Sequence, residues 1–187
     1  KAINLALSLH EKQVRKGGRI PYVSHLLGVS SLILKAGGSE EQAIGGLLHD
    51  AIEDQGEKIS FADLKVEFGE LVAEIVLGCT DETLEQRKTM PWYERKHTYL
   101  SHLKAIPLEA RLVILSDKLD NIRDMSKEFR ILNEDFWLRF TEGRKGSIWF
   151  LGEMEKVFRC WQREAPLDQN SIAQGMIEEF CCLLSNI

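Results

Sequence analysis

Apolar residues recur along this chain at helical spacing, and no convincing alternating strand or internal repeat interrupts them. Leu5, Leu7, Leu9 and Val14 predict an opening amphipathic helix that ends at Gly17-Gly18. A short loop with Pro21 precedes a helix from about Ser24 to Lys35, closed by Gly37-Gly38. Ser39 with Gln42 three residues on reads as a capping box, opening a helix that carries Ala43, Leu47, Leu48 and Ile52. Ser60 with Asp63 makes a similar start for a segment through Phe68, and Gly69 separates it from an apolar helix through Val76. Cys79 to Trp92 is polar, ends in Met90-Pro91-Trp92 and reads as a loop able to border a site. Tyr93 to Ala105 predicts a helix. Pro107 suits the first turn of a long one through about Met125, carrying Leu112, Ile114, Leu115, Leu119 and Ile122.

Phe136–Phe140 and Ile148–Trp161 predict aromatic-rich helices. Their Trp137, Phe140, Trp149, Phe150 and Trp161 read as core rather than a cofactor box, and they leave room for self-association as a homo-oligomer. Pro166 and Asp168 break and restart the chain before a last helix, Ser171 to Leu184, which reads as a weakly tied addition. The pattern predicts an all-α helical bundle, one domain over 1–187, with a core of about 1–165 and a C-terminal helix within 168–187.

Composition narrows the partners. At 187 residues, 44% hydrophobic and 28% charged, the chain has the make-up of an ordinary globular domain. No stretch approaches the roughly 20 apolar residues of a membrane span, and the Lys1–Lys16 segment lacks the continuous apolar run of a cleavable signal. Cys79, Cys160, Cys181 and Cys182 show neither metal-type spacing nor a disulfide framework, so a reduced, cytoplasmic protein is the expectation. A net charge of −5 with both signs mixed along the chain argues against a broad nucleic-acid face, and neither a nucleic acid nor a membrane is expected as a partner. A small anionic substrate stays compatible, because a few cations or a metal can dominate one pocket.

The densest chemistry is His49-Asp50 followed by Glu53-Asp54, set directly after Gly45-Gly46-Leu47-Leu48. On a helix His49 shares a face with Glu53, and Asp50 with Asp54. A lone acidic run is usually a solvated helix end. Here it abuts a buried stretch, and acidic groups at a helix C-terminus oppose the macrodipole unless something positive compensates, as a divalent metal would. His25 alone reads as a hydrogen-bonded histidine at a helix start. Asp117 and Asn121, one turn apart, read alone as a polar stripe. Together, two imidazoles and two carboxylates from three helices would suit Mn²⁺, Fe²⁺, Zn²⁺ or a similar ion, though spacing does not bring them together.

The ordered set Arg15-Lys16, Pro21-Tyr22-Val23-Ser24-His25, Leu47-Leu48-His49-Asp50-Ala51-Ile52-Glu53-Asp54, Phe68-Gly69 and Leu115-Ser116-Asp117-Lys118-Leu119-Asp120-Asn121 resembles one family. It looks like the HD-superfamily hydrolase domain of RelA/SpoT proteins and the stand-alone small alarmone hydrolases of the metazoan SpoT homologue type, over roughly residues 2 to 126. The resemblance implies an HD-domain bundle with one metal, usually Mn²⁺, on His25, His49, Asp50 and Asp117. It implies that Glu53 and Asp54 position or deprotonate the attacking water, and that Asn121 supports the site and contacts substrate. Arg15 and Lys16 fall near the substrate's phosphates, Tyr22 and Ser24 at pocket-lining positions, and Lys96 at a further phosphate-binding position. Arg144, with Lys145 and Trp149, matches pocket closers. The activity implied is hydrolysis of the 3′-pyrophosphate of guanosine tetra- or pentaphosphate, giving GDP or GTP and pyrophosphate.

Departures fall at Leu26, where a proline is common, at Gln55, where threonine is frequent, and at Asp120, where histidine or tyrosine is common; Arg15 also lies one residue further from His25 than in bacterial bifunctional enzymes. No ligand or catalytic carboxylate is lost, but nucleotide specificity stays open. Two rivals remain: an HD phosphohydrolase acting on another nucleotide, such as NADPH or nucleoside phosphates, and a non-catalytic nucleotide-binding HD module.

Overall fold

Ser39 Oγ accepts the Gln42 amide at 3.2 Å while Gln42 Oε1 accepts the Ser39 amide at 3.0 Å, and Ser60 and Asp63 repeat the exchange. These reciprocal caps start two of the helices where the sequence predicts them. The computed structural model describes residues 1–81, 84–164 and 167–187. In chain order its helices are α1 (Ala2–Leu9), α2 (Val23–Lys35), α3 (Glu40–Leu48), α4 (Ala51–Gln55), α5 (Phe61–Phe68) and α6 (Glu70–Cys79). They continue with α7 (Leu84–Thr89), α8 (Trp92–His102), α9 (Leu108–Leu132), α10 (Gly143–Trp161) and α11 (Ser171–Leu184). Short 3₁₀ turns, Asn133–Arg139 and Leu167–Gln169, flank α10. Among the described residues there is no strand, only an isolated bridge between Val14 and Pro21, so the all-α expectation holds.

Several boundaries differ from the sequence reading, each for a local reason. α1 stops at Leu9 because residues 13–22 fold back on themselves: the Arg15 amide donates to the Ile20 carbonyl and the Tyr22 amide to that of Gln13, both at 2.9 Å. The turn runs through Gly17 at φ +78°, where arginine and lysine neighbours would be strained. The expected loop from Cys79 to Trp92 contains α7, whose Glu85-Gln86-Arg87-Lys88 are straight-chain helix formers. α9 runs seven residues past Met125, to Leu132, and ends where Asn133 takes a positive φ of 50°. The expected Phe136–Phe140 helix is a 3₁₀ turn, and α10 begins at Gly143, ahead of Ile148. Pro166 lies outside the described residues, as does the side chain of Asp168.

α11 is not a weakly tied addition. Ala173, Met176, Ile177, Phe180 and Cys181 lie in the larger of two core clusters, with α9, α10 and part of α2. Phe180 meets Phe158 edge-on at 5.1 Å, and Arg123 grips Glu179 through two 2.6 Å bonds. Asn170 caps the helix and donates to the Ala36 carbonyl at the end of α2. A second cluster joins α1, α3, α5 and α6 around Leu26, Leu48, Leu64 and Val72. α2 and α3 pack against α9 where the clusters meet. No described helix is long and apolar enough to cross a membrane.

If α11 belongs to the core, Phe180→Ala should cost about 3–5 kcal/mol of stability, as for other buried aromatic truncations. Urea unfolding monitored by far-UV circular dichroism checks this, and a loss under 1 kcal/mol would return α11 to the status of an appendage.

Candidate metal centre and adjoining cavity

His25 lies in the first turn of α2, His49 immediately after α3, Asp50 at the start of α4, and Asp117 midway along α9. His25, His49 and Asp117 offer ligand atoms all within 4.8 Å of one another, each from a buried side chain. His25 Nε2 is 3.1 Å and His49 Nε2 3.5 Å from Asp117 Oδ1. Asp50 Oδ2 adjoins the trio, 2.9 Å from His49 Nε2 and 3.9 Å from His25 Nε2.

The remaining imidazole nitrogens set the orientation. His25 Nδ1 donates to Asp120 Oδ2 at 2.6 Å, and His49 Nδ1 donates to the Gly46 carbonyl at 2.9 Å. A carboxylate or a carbonyl can only accept, so each ring carries its proton on Nδ1 and turns the Nε2 lone pair inward. Glycines make room for this. A Cβ at Gly28, one turn beyond His25, would come within 2.6 Å of Asp120 Oδ1, and one at Gly46 within 2.5 Å of the Ile33 side chain. Asp50 is steadied by the Tyr22 hydroxyl at 2.6 Å, and Asp117 by Asn121 at 2.6 Å and Lys118 at 2.8 Å.

Lone pairs of neutral imidazoles and carboxylate oxygens facing one point repel unless a cation lies between them. Protein alone answers with protons. Burial works against a charged His49, yet Asp50 and Asp117 hold its pKa well above the usual histidine range. Burial likewise opposes charge on His25, and hydrogen bonds to Asp117 and Asp120 outweigh it. Asp117, which burial alone would push up, is held well below the carboxylate range by Lys118 and the two histidines. His49 Nε2 is buried without a hydrogen-bond partner of acceptable geometry. Two imidazole nitrogens and the Asp117 carboxylate, one of the nitrogens orphaned and pointing inward, with Asp50 adjoining, fit a divalent cation.

Glu53 and Asp54 project from α4 beside this centre. Glu53 Oε1 accepts from Arg87 at 2.9 Å and Oε2 from the Asp81 amide at 3.0 Å. Asp54 Oδ1 accepts from Arg87 at 3.3 Å and Oδ2 from Gln13 at 2.7 Å. Burial first, then the negative charges of Asp50 and Asp81, push the Glu53 pKa up to about 7. A carboxylate poised there can accept a proton near neutrality.

Alongside opens a cavity of about 350 Å³ whose wall includes Arg15, Lys16, Tyr22, Lys96, Lys118 and Asn121. Trp92, Phe136, Phe140 and Phe150 supply aromatic faces. Most of the cations are already matched: Arg15 with Asn121 and Asp124, Lys96 with Asp81, Arg139 with Glu128, Lys118 with Asp117. Lys16 instead lies over the Phe140 ring at 4.9 Å, its pKa lowered by burial and by Lys96, Arg139 and Arg87. A larger cavity of about 560 Å³ lies between α8, α9 and α10, away from these groups.

Arg15, Lys16, Tyr22, Lys96 and Asn121 are thus brought to one cavity, beside Glu53, Asp54 and the four metal candidates. Ser24 is not: it is exposed, and it does not line the wall. Arg144 is not either. It pairs with Glu134 and the Ile187 carbonyl on the outer side of α10, because that helix starts earlier than expected. Trp149 reaches the wall only through Trp92, 5.9 Å away, and Lys145 does not line it. Sequence reasoning missed Lys118, Gln13, Arg87 and Arg139, and took Asp120 as a mere departure. Asp120 stands three residues after Asp117, a spacing that could have flagged it. Arg139 gave no such signal, since its reach depends on the chain turning back after α9.

The HD domain family matches residues 2–135. The guanosine-3′,5′-bis(diphosphate) 3′-pyrophosphohydrolase MESH1 of Xenopus tropicalis is 36% identical over 129 residues, 67% of this chain and 68% of that protein. A solved structure described as a metazoan ortholog of SpoT that hydrolyzes ppGpp superposes with a TM-score of 0.75 at 25% identity, covering 100% of this chain and 94% of that one. The protein lmo0812 of Listeria monocytogenes EGD-e gives 0.69 at 27% identity, with 91% and 99% covered.

Asp120→Ala should weaken divalent-metal binding about 10–100-fold, the usual cost of removing a carboxylate behind a ligating histidine. Because both imidazoles hold protons above the ordinary histidine range without metal, loading must displace them. Affinity should therefore rise with pH through and above that range. The metal-free fold should move the other way, since groups with raised pKa values lose their stabilising contribution as pH rises through those values. Calorimetry in buffers of different ionisation enthalpy, with thermal melts with and without metal, checks both; proton-neutral binding would contradict them.

Proposed function

The chain belongs to the HD domain family, and from that premise we propose that it is a metal-dependent hydrolase of guanosine tetra- or pentaphosphate, releasing the 3′-pyrophosphate to leave GDP or GTP. The observation that carries this reading is the His25, His49 and Asp117 cluster, with Asp50 adjoining, near a carboxylate whose pKa is pushed up to about 7 and joined through Tyr22, Lys118 and Asn121 to a cation-lined cavity. Relatives and a solved structure named for this activity support it.

In this reading His25, His49, Asp50 and Asp117 hold one divalent cation. Mixed imidazole and carboxylate donors suit Mn²⁺, our assignment for the metal. When bound, such a cation lowers the pKa of its water and polarises a phosphoryl oxygen. Glu53 takes the proton of the attacking water, and Asp54, one residue on, orients that water. Water adds to phosphorus, the bond from phosphorus to the 3′-oxygen breaks to release pyrophosphate, and the proton taken by Glu53 returns through solvent to leave that oxygen a hydroxyl. Arg15, Lys16 and Lys96 receive the phosphate charge, while Lys118 and Asn121 keep Asp117 in register. Tyr22 holds Asp50, and the aromatic wall of the cavity offers the nucleobase a stacking face. Neither Ser24 nor Arg144 has a role in this assignment.

Incubated with Mn²⁺ and a panel of nucleotides, the protein should release pyrophosphate from guanosine tetraphosphate. Orthophosphate release, or turnover of NADPH or nucleoside phosphates in its place, would move the assignment to another substrate, and binding without turnover to a non-catalytic module. Glu53→Ala should lower kcat by about 10²–10⁴-fold while metal content stays near the wild-type value; joint loss of metal and activity would reassign Glu53 as a metal-holding group. Lys16→Ala should act chiefly on KM, raising it at least several-fold in steady-state assays, whereas a change confined to kcat would remove Lys16 from substrate binding.

A further inference from the structure

The four oxygens of Glu53 and Asp54 all have donors: the Asp81 amide, Gln13, and Arg87, which spans both side chains. Asp81 and Gln13 each hold one carboxylate. Arg87 takes one oxygen of each, so the relative placement of two adjacent side chains depends on a single guanidinium. The electrostatics demand something of this kind. Glu53 lies in a buried neighbourhood near the carboxylates of Asp50 and Asp81, and a carboxylate pair with no cation would splay apart. Arg suits the task because its planar fork can engage two acceptors at once, which the point charge of Lys cannot.

We propose that Arg87 is a positioning residue for the hydrolytic reaction, holding Glu53 and Asp54 in mutual register for the attacking water. This rests on the role proposed above for that pair. Arg87 comes from α7, the six-residue helix inside the stretch that the sequence reads as a loop. α7 packs on α8, which carries Trp92 and Lys96 into the cavity wall. The guanidinium is also close enough to Lys16 to depress its pKa. Arg87 therefore links the water-handling side of the site to the side that receives phosphates. Its side chain is 39% exposed and meets Glu53 and Asp54 at the site itself, so its effect is read in turnover.

Arg87→Ala, assayed in the whole chain with Mn²⁺ and guanosine tetraphosphate, should lower kcat by roughly 10–100-fold, the scale of a small misplacement of reacting groups. KM should stay within about twofold, and melting temperature and metal content should be unchanged. Arg87→Lys should recover only part of the loss, and added ethylguanidinium should raise kcat of the alanine variant but not of wild type. An alanine variant with wild-type kcat, a loss confined to KM, or a loss that ethylguanidinium fails to restore would each overturn the assignment. Should Arg87→Ala fail to fold, Arg87→Gln is put through the same measurements with the same criteria. A wild-type protein inactive on every nucleotide would instead remove the hydrolase reading on which the assignment rests, so the two failures are told apart.

Discussion

Two imidazole nitrogens and an Asp117 oxygen, acceptors all, face one point in the interior, and an Asp50 oxygen adjoins them. Such a cluster is tolerable only with positive charge at its centre, and the rest of the site is organised around that demand. Protons meet it in the metal-free chain, which is why both histidines titrate high and Asp117 low. A divalent cation would meet it better, since one ion could satisfy the lone pairs that the Nδ1 hydrogen bonds have turned inward.

Holding four such groups together takes a scaffold that resists their repulsion. The two apolar clusters share α2, α3 and α6, α2 and α3 also pack on α9, and the ligands sit along these helices: His25 beside Leu26, His49 after Leu48, Asp117 between Leu115 and Leu119. Apolar packing on both sides is what fixes the backbone there. Small residues then set how near the elements come, Gly46 letting α3 close on Ile33 and Gly28 admitting Asp120 to His25. Asp120, a residue unlike the histidine or tyrosine expected at its position, supplies the carboxylate that fixes the His25 tautomer.

The cavity extends the same electrostatic logic. Its cations are mostly tied to carboxylates, so on the proposed function an incoming polyanion would exchange partners with groups already held in place, which keeps the reorganisation small. Lys16 differs, carried on the fold-back of residues 13–22 and packed over Phe140. Arg15, Tyr22, Lys118 and Asn121 thus line the cavity and also hold, or lie against, the groups of the candidate metal centre.

The helical class, the two capping boxes and the HD pair with its following carboxylates were legible in the chain, because periodicity, caps and short motifs are local properties. So was the candidate set His25, His49, Asp50 and Asp117, by resemblance; their convergence was not, since it depends on α2, α3 and α9 packing together. Helix ends were read less well where tertiary bonds override local preference, as in the fold-back after Leu9 and the early start of α10 that carries Arg144 outward. The groups supporting the site, Lys118, Asp120, Gln13, Arg87 and Arg139, came into view only in three dimensions. Each acts on a residue whose neighbours the chain order does not reveal, except for Lys118 beside Asp117. Sequence by itself determined which groups this protein has for chemistry and the helices that bear them. Tertiary structure alone decided which of those groups share a solvent-poor volume, where opposing charges change protonation and a metal finds its ligands, because Coulomb forces and burial depend on distance in space.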